Sequence, residues 1–306
     1  MTLGFSGNLP PHIRQRGADE TDSRRPPYPS LPDPLEIAVY DNHAHLEFSD
    51  GENPMDYGTH LERAGSVGVA GVIQVGTDVE TSRWSAELAQ SDPRVLAAVA
   101  IHPNEAPKLA ELGTLGESME EIDQLASSPR VVAVGETGLD FFRTPQALQK
   151  FQKESFIAHI EIAKRHGLAL QIHDRDAHQA VVDILLECGA PEPTVFHCFS
   201  GDAELAHILA KNGWFASFSG TITFKSSVKL REALRIIPAS QILIETDTPF
   251  LTPEPHRGKP NSPYMIPLTL RSMASTLDVG ERRLSEQIAT NTKQVYGSFE
   301  DKPESS

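Results

Sequence analysis

EIAVYDNHAHLEF, residues 36 to 48, opens with an apolar run and ends with two histidines one residue apart. In an extended segment residues i and i+2 share a face, so His43 and His45 point the same way and can grip one metal ion. The pair carries little weight alone, because 12 histidines among 306 residues produce this spacing by chance about half a time per chain. Its meaning depends on what the preceding run belongs to. Seven further runs of the same kind follow: AGVIQVG (70–76), VLAAVAIHP (95–103), VVAVGE (131–136), LALQIH (168–173), TVFHCF (194–199), WFASFSG (214–220) and QILIETD (241–247). Between them lie helical patterns such as LQKFQKESFIAHIEIAKRHG, in which Phe151, Phe156, Ile160 and Ala163 form one stripe and Gly167 is the stop.

Strands that are apolar throughout and separated by helices indicate a parallel sheet covered on both faces. Eight such units over about 250 residues predict an α/β chain of the (β/α)₈ TIM barrel class. An open doubly wound sheet fits less well, since no GxGxxG follows the first run. The barrel is expected as a single domain over residues 37–298. Residues 1–36, rich in proline and charge, read as a flexible N-terminal extension, and residues 299–306 as a C-terminal tail.

Cys188 and Cys198 are the chain's two cysteines and give no disulfide framework. No apolar stretch is long enough for a signal peptide or a membrane span, so a cytoplasmic chain with no membrane partner is expected, with a monomer favoured. The formal charge of −15 repels polyanions as a whole. A phosphate-bearing substrate must therefore be met by a metal or a local basic patch.

The polar residues that interrupt the apolar runs sit at their C-terminal ends: His43, His45, Glu136, His173, His197 and Asp247. In a parallel barrel those ends converge on one rim, where active sites are built. Imidazoles and carboxylates together suit borderline or hard divalent ions, and suffice for two if one carboxylate bridges. Any one of them could be ordinary: a strand-end histidine is commonly a hydrogen-bonded loop residue, and Asp247 could cap a helix. Those readings explain the six poorly as a set. His12, His60, His159, His166, His178 and His207 fall in the extension or on helical patterns and read as surface or packing residues, and Cys198 as a structural thiol.

Past the eighth run, ETDTPFLTPEPHRGKPNSP (245–263) reads as a long ordered loop over the same rim, carrying His256, Arg257, Lys259 and Asn261. Arg257 offers a planar fork for phosphate. Lys225, Lys229, Arg231 and Arg235 in TFKSSVKLREALR could form a basic lip or a solvated helix face.

DNHAHLEF, AIHPNEA, GETGLDF, QIHDRDA, TVFHCFSG, ETDTPFLTP with RGKPNSP, and NTKQVYG resemble, in order, the motif series of the TatD family of metal-dependent deoxyribonucleases, within the amidohydrolase-type barrels. The resemblance spans roughly residues 37–298 and implies two divalent ions, Mg, Mn or Zn. It implies that His43, His45 and Asp247 hold one, that His173 and His197 hold the other, and that Glu136 bridges them. It further implies that His102, Glu245, Arg257 and Asn261 line the substrate site. Ala44 and Glu47 stand where the family's first motif often has cysteine and aspartate, and Thr137 replaces a frequent isoleucine; no ligand is lost. The expected activity is exonuclease-type hydrolysis of DNA, single-stranded or at ends, with Asp247 orienting the attacking water and accepting its proton. The rival reading is hydrolysis of a small amide, lactone or phosphotriester on the same site. A metal-binding regulatory protein without turnover is a third.

Overall fold

The computed structural model describes residues 9–16 and 26–299. All eight apolar runs form strands: β1 (Val39–Ala44), β2 (Val69–Val75), β3 (Val95–Val99), β4 (Val131–Asp140), β5 (Ala169–Arg175), β6 (Thr194–Phe196), β7 (Phe215–Phe218) and β8 (Ile242–Ile244). Each pairs in parallel with the next in the chain. The seam between β8 and β1 closes through few bonds. Asn42 Nδ2 donates to the Ile244 carbonyl at 2.7 Å. Beyond it the Asp247 N–H donates to His43 O at 3.0 Å and the His45 N–H to Thr248 O at 2.9 Å, with a parallel bridge between Ala44 and Thr248. The nearly closed sheet, alternating with helices, is the TIM barrel expected from the sequence.

Alternation along the strands sorts the core into two. Tyr40, Ile73, Val75, Leu96, Ala98, Ala133, Ala169, Val195, Phe215 and Leu243 form one cluster with Val295, Tyr296 and Phe299, which plug its lower end. The opposite strand faces join the helices in a larger shell. Phe299, assigned to the tail from sequence, is 4% exposed and stacks on Tyr40 with ring centroids 4.4 Å apart. Residues 300–306 lie outside the described residues.

The Gln149–His166 helix carries the expected stripe and ends at Gly167 in the left-handed conformation, its N–H turned back to Ala163 and Lys164 carbonyls. Phe156, Ile160 and Ala163 are fully buried, so Phe156→Ala would cost about 3–5 kcal/mol. Phe151 is only half-buried. Its neighbour Gln152 goes in instead and spends its amide on Pro103 O, Thr144 Oγ1 and the Asp140 N–H.

The flexible reading of residues 1–36 needs correction where they are described. Arg14–Gln15 pairs in parallel with Phe48–Ser49, Trp84 Nε1 donates to Pro10 O, Tyr264 donates to Pro29 O, and Leu35 is buried. The few apolar residues among the prolines, Leu9, Ile13 and Tyr28, pack against the barrel shell and outweigh the composition around them. Residues 1–8 and 17–25 lie outside the described residues. Among the described residues no helix is long and apolar enough to cross a membrane.

Candidate metal centre

The interior column of each strand ends in a polar group. On β5 the column runs Ala169, Gln171, His173; from β6 it runs Val195, His197; from β8 it runs Leu243, Glu245, Asp247, all at the two-residue period of extended chain. β4 is brought against β5 at Gly138, where φ is 131° and a Cβ would meet the His173 carbonyl at 2.2 Å. Only glycine allows that approach, which sets Glu136 beside His173. Asp247 takes a φ of 56°, turning the chain at the rim, and its position is fixed by Asp41, which is fully buried and accepts from the Thr246 N–H and hydroxyl. Burial pushes the Asp41 carboxyl up to about 7, against the hydrogen bonds from Thr246.

The expected six residues converge, and Glu136 stands between two groups of them. Its Oε1 lies 3.2 Å from His45 Nε2 and 3.7 Å from His43 Nε2. Asp247 Oδ1 reaches the same pair at 3.6 and 3.9 Å. Glu136 Oε2 lies 3.0 Å from His197 Nε2, 3.1 Å from His173 Nδ1 and 3.5 Å from His102 Nε2. Burial alone would push the Glu136 carboxyl up, but His102, His197 and His173 hold it well below the usual carboxylate range.

Hydrogen bonds on the far side of each ring fix which nitrogen is free. Gln171 donates through Nε2 to Asn42 O and Tyr296 Oη, so its Oε1 faces His43 Nδ1 at 3.1 Å as an acceptor. His45 Nδ1 donates to Val75 O at 2.9 Å and His197 Nδ1 faces Glu245 Oε1 at 3.3 Å. All three rings therefore turn Nε2 inward, the arrangement that metal-binding histidines take. His43 Nε2 and His45 Nε2 face each other at 3.3 Å, and two bare lone pairs at that distance repel. A positive charge has to sit between them, either a proton or a cation. Burial and His197 push the His43 pKa down. On His45, burial works the same way but Asp247, Glu136 and Glu47 carry it well above the ordinary value. The donor set and its far-side bonds fit divalent cations, and three overlapping groups, His43/His197/Asp247, His43/His45/Glu136 and His102/Glu136/His173, each bring their ligand atoms within 4.8 Å of one another.

His102 differs. Its Nδ1 accepts the Asn104 N–H at 3.0 Å, so the neutral ring carries its proton on Nε2, and burial pushes its pKa down to about 3. It is placed as a neutral donor toward Glu136 and the cavity. Glu245 is fully buried and accepts from His197 and the Cys198 N–H; it sits behind the His197 ring and does not line the cavity. Asn261, also fully buried, spends its amide on the Thr246 and Phe250 carbonyls and fastens the loop. Arg257 is exposed and lies 4.4 Å over the Phe224 ring, away from the cavity lining. Of the four residues expected to line the substrate site, His102 lines the cavity, whereas Glu245, Asn261 and Arg257 are not among its lining residues.

The cavity over the centre, about 460 Å³, is lined by His45, His102, Glu136, His173, His197 and Asp247, and by two arginines the sequence reading passed over, Arg143 and Arg175. Arg143 comes two residues after GETGLDF and Arg175 lies within QIHDRDA; that proximity was the available signal. Asp140, at the end of β4, lies 3.4 Å from His173 Nε2. Gln171 and Gln74 were also missed. A glutamine inside an apolar strand is buried and needs partners: Gln171 faces the barrel interior, whereas Gln74 faces the helix side and finds Glu47 Oε2 at 2.7 Å, the Leu46 N–H and Ser85 Oγ.

A (β/α)₈ barrel whose C-terminal rim gathers histidines and carboxylates in this way is the framework of a metal-dependent hydrolase. Residues 40–297 match the family described as TatD related DNase, and the chain belongs to the TatD family. It is 40% identical over 263 residues to a protein of Mycobacterium tuberculosis named an uncharacterized metal-dependent hydrolase TatD, covering 85% of this chain and 98% of that one. It is 32% identical over 246 residues to the 3'-5' ssDNA/RNA exonuclease TatD of Escherichia fergusonii, covering 78% of this chain and 91% of that one. The crystal structure of YJJV, a TatD homologue from Escherichia coli K12, superposes with a TM-score of 0.76 at 26% identity, over 85% of this chain and 98% of that one.

Proposed function

We propose that this chain is a two-metal nuclease that hydrolyses phosphodiester bonds of DNA from an end, preferring single strands. The observation that carries the reading is the placement of Glu136, whose Oε1 faces His45 and His43 and whose Oε2 faces His197 and His173. His43, His45 and Asp247 would hold one ion and His173 and His197 the other, with Glu136 shared. When bound, such ions polarise the phosphoryl group and make water acidic enough to attack at neutral pH. The chain's own groups do the rest. Asp247 lines the cavity with 14% of its side chain exposed, which suits a carboxylate that orients water and takes its proton. His102 presents Nε2–H to the same space and stabilises charge on a phosphoryl oxygen without adding a charge of its own. Arg143 and Arg175 line the cavity and answer the problem posed by the chain's overall acidity, taking the phosphate role expected of Arg257. The same proposal places the enzyme in the cytoplasm as a monomer.

The test is protein stripped of metal, reloaded with Mg, Mn or Zn, and assayed on end-labelled single-stranded DNA, duplex DNA, RNA and a panel of small esters and lactones. Stepwise shortening of single-stranded DNA supports the reading. Turnover of a small neutral ester with no cleavage of nucleic acid overturns it in favour of a small-molecule hydrolase on the same site. The exonuclease named among the relatives supports a nucleic-acid substrate.

A further inference from the structure

Residues 9–16 precede the family match, which begins at residue 40, yet they reach the metal centre. The Arg14 N–H donates to Glu47 O and the Arg16 N–H to Ser49 O, both at 3.1 Å, laying this arm beside the chain that leaves His45. A second cavity of about 430 Å³ adjoins the first and shares with it His45, His102, Glu136, Arg143 and Phe250; its remaining wall includes Arg14, Phe48 and Lys108. Arg14 Nη1 donates to Thr77 Oγ1 at 2.7 Å, and Nη2 pairs with Asp78. Asp78 also accepts from the Thr81 N–H as the cap of its helix, so its charge is shared. Two of the five guanidinium donors point into these bonds, which fix the group at the cavity edge with 28% of its side chain exposed. The guanidinium lies 5.9 Å from the centre of the Phe48 ring, and Phe48 packs edge-on against Phe250 at 5.8 Å. Arg16 stacks over Phe250 at 5.2 Å and ties the arm to Asp50 and Pro249 O.

We propose that the N-terminal arm completes a nucleotide subsite beside the metal centre, in which Arg14 takes the phosphate next to the scissile one and a base lies against Phe48. Phe48 is half-buried, and a cation beside an accessible aromatic ring is how single strands are held without regard to sequence. The subsite rests on the proposed nuclease reading and adds to it that specificity for a chain of at least two phosphates is supplied from outside the family's shared barrel.

Full-length protein is compared with Arg14→Ala, Arg14→Glu and Arg14→Lys. Binding of a fluorescently labelled oligothymidylate is followed by anisotropy in EDTA across a salt series, and turnover of metal-loaded enzyme is followed on an oligonucleotide and on bis(4-nitrophenyl) phosphate, which carries one phosphate. Arg14→Ala is expected to weaken oligonucleotide binding and raise its KM about fivefold, and to reduce the slope of log affinity against log salt by about 0.7, one contact on a single strand. Arg14→Glu weakens it further and Arg14→Lys restores part. Turnover of the one-phosphate substrate falls by less than that of the oligonucleotide. Oligonucleotide cleavage with binding and KM untouched by Arg14→Ala and Arg14→Glu overturns the subsite and leaves the nuclease reading standing. A wild-type chain that neither binds nor cleaves oligonucleotides overturns both.

Discussion

On the Oε1 side of Glu136, the side chains of His43 and His45 are 0% and 3% exposed; on the Oε2 side, those of His173 and His102 are 19% and 15% exposed. The first pair is held from behind by a side-chain amide and a backbone carbonyl. On the second side His197 is backed by the Glu245 carboxylate and His173 Nε2 lies 3.4 Å from Asp140, and the group opens onto the cavity with Arg143 and Arg175. The difference separates two tasks that one carboxylate joins. In the proposed two-ion reading, the enclosed half has its histidine donors held from behind and only Asp247, 14% exposed, opening to the cavity. The open half leaves space for a substrate oxygen and for exchange with solvent, so an ion there should leave first when chelator is added.

Removing the shared group breaks the comparison most completely. Glu136→Ala is expected to lower turnover by about 10³-fold or more and to leave at most one ion bound, because both halves lose a ligand and their mutual repulsion is no longer offset. Glu136→Gln should be nearly as damaging. Metal analysis finding two tightly held ions in Glu136→Ala would refute the bridge. Asp247→Asn sits on the enclosed side but faces the cavity. It should cost about 10²- to 10³-fold in kcat with little change in KM, and an equal rise in KM would mean that Asp247 serves substrate binding instead. The two halves can then be perturbed one at a time. Gln171→Met takes away the acceptor for His43 Nδ1 and should weaken metal retention on the enclosed side by about 10- to 100-fold. Glu245→Gln keeps the shape behind His197 but removes its charge and should weaken the open side by about tenfold. If both variants lose the same ion in competition with a graded chelator, the division between halves is wrong.

The smallest effect is in pH. On His197 burial works against the proton, but Glu136 and Glu245 push its pKa up to about 10. Below that value the metal-free ring keeps a proton on Nε2, and an ion taking the position must displace it. Affinity therefore rises with pH by up to about tenfold per unit for each proton displaced, with protons released on binding. Titration calorimetry in buffers of different ionisation enthalpy measures the release. A flat affinity from about pH 6 to about pH 9 would show that His197 is not a ligand.

The strands and the convergence of the rim residues were legible for the same reason. Apolar runs at βα spacing fix a parallel barrel, and a barrel delivers the ends of its strands to one rim, so His43, Glu136, His173, His197 and Asp247 could be placed together without contacts. Direction was legible only where the chain is extended. Arg257 and Asn261 lie in the loop after β8, where no period says which way a side chain turns, and one stacks on Phe224 while the other is spent on backbone carbonyls. Arg143 lies two residues past GETGLDF and Arg175 inside QIHDRDA, and the histidines and carboxylates of those motifs drew attention away from them. The N-terminal arm was misread because composition averages over a segment. Ile13 and Leu9 anchor it through single side chains that no average registers.

The bonds that close the barrel and the bonds that build the metal centre are the same few contacts. Asp41 and Thr246 stand 205 residues apart, and the Asp247 N–H reaches back to His43 O, so the first ligands made by the ribosome wait for the last. A growing chain carries His43 and His45 through most of its synthesis without the carboxylate that completes their side. Such long-range pairing forms late in folding. Hydrolytic competence therefore arrives with closure of the seam and not before, which keeps unfinished or broken chains from holding a working centre.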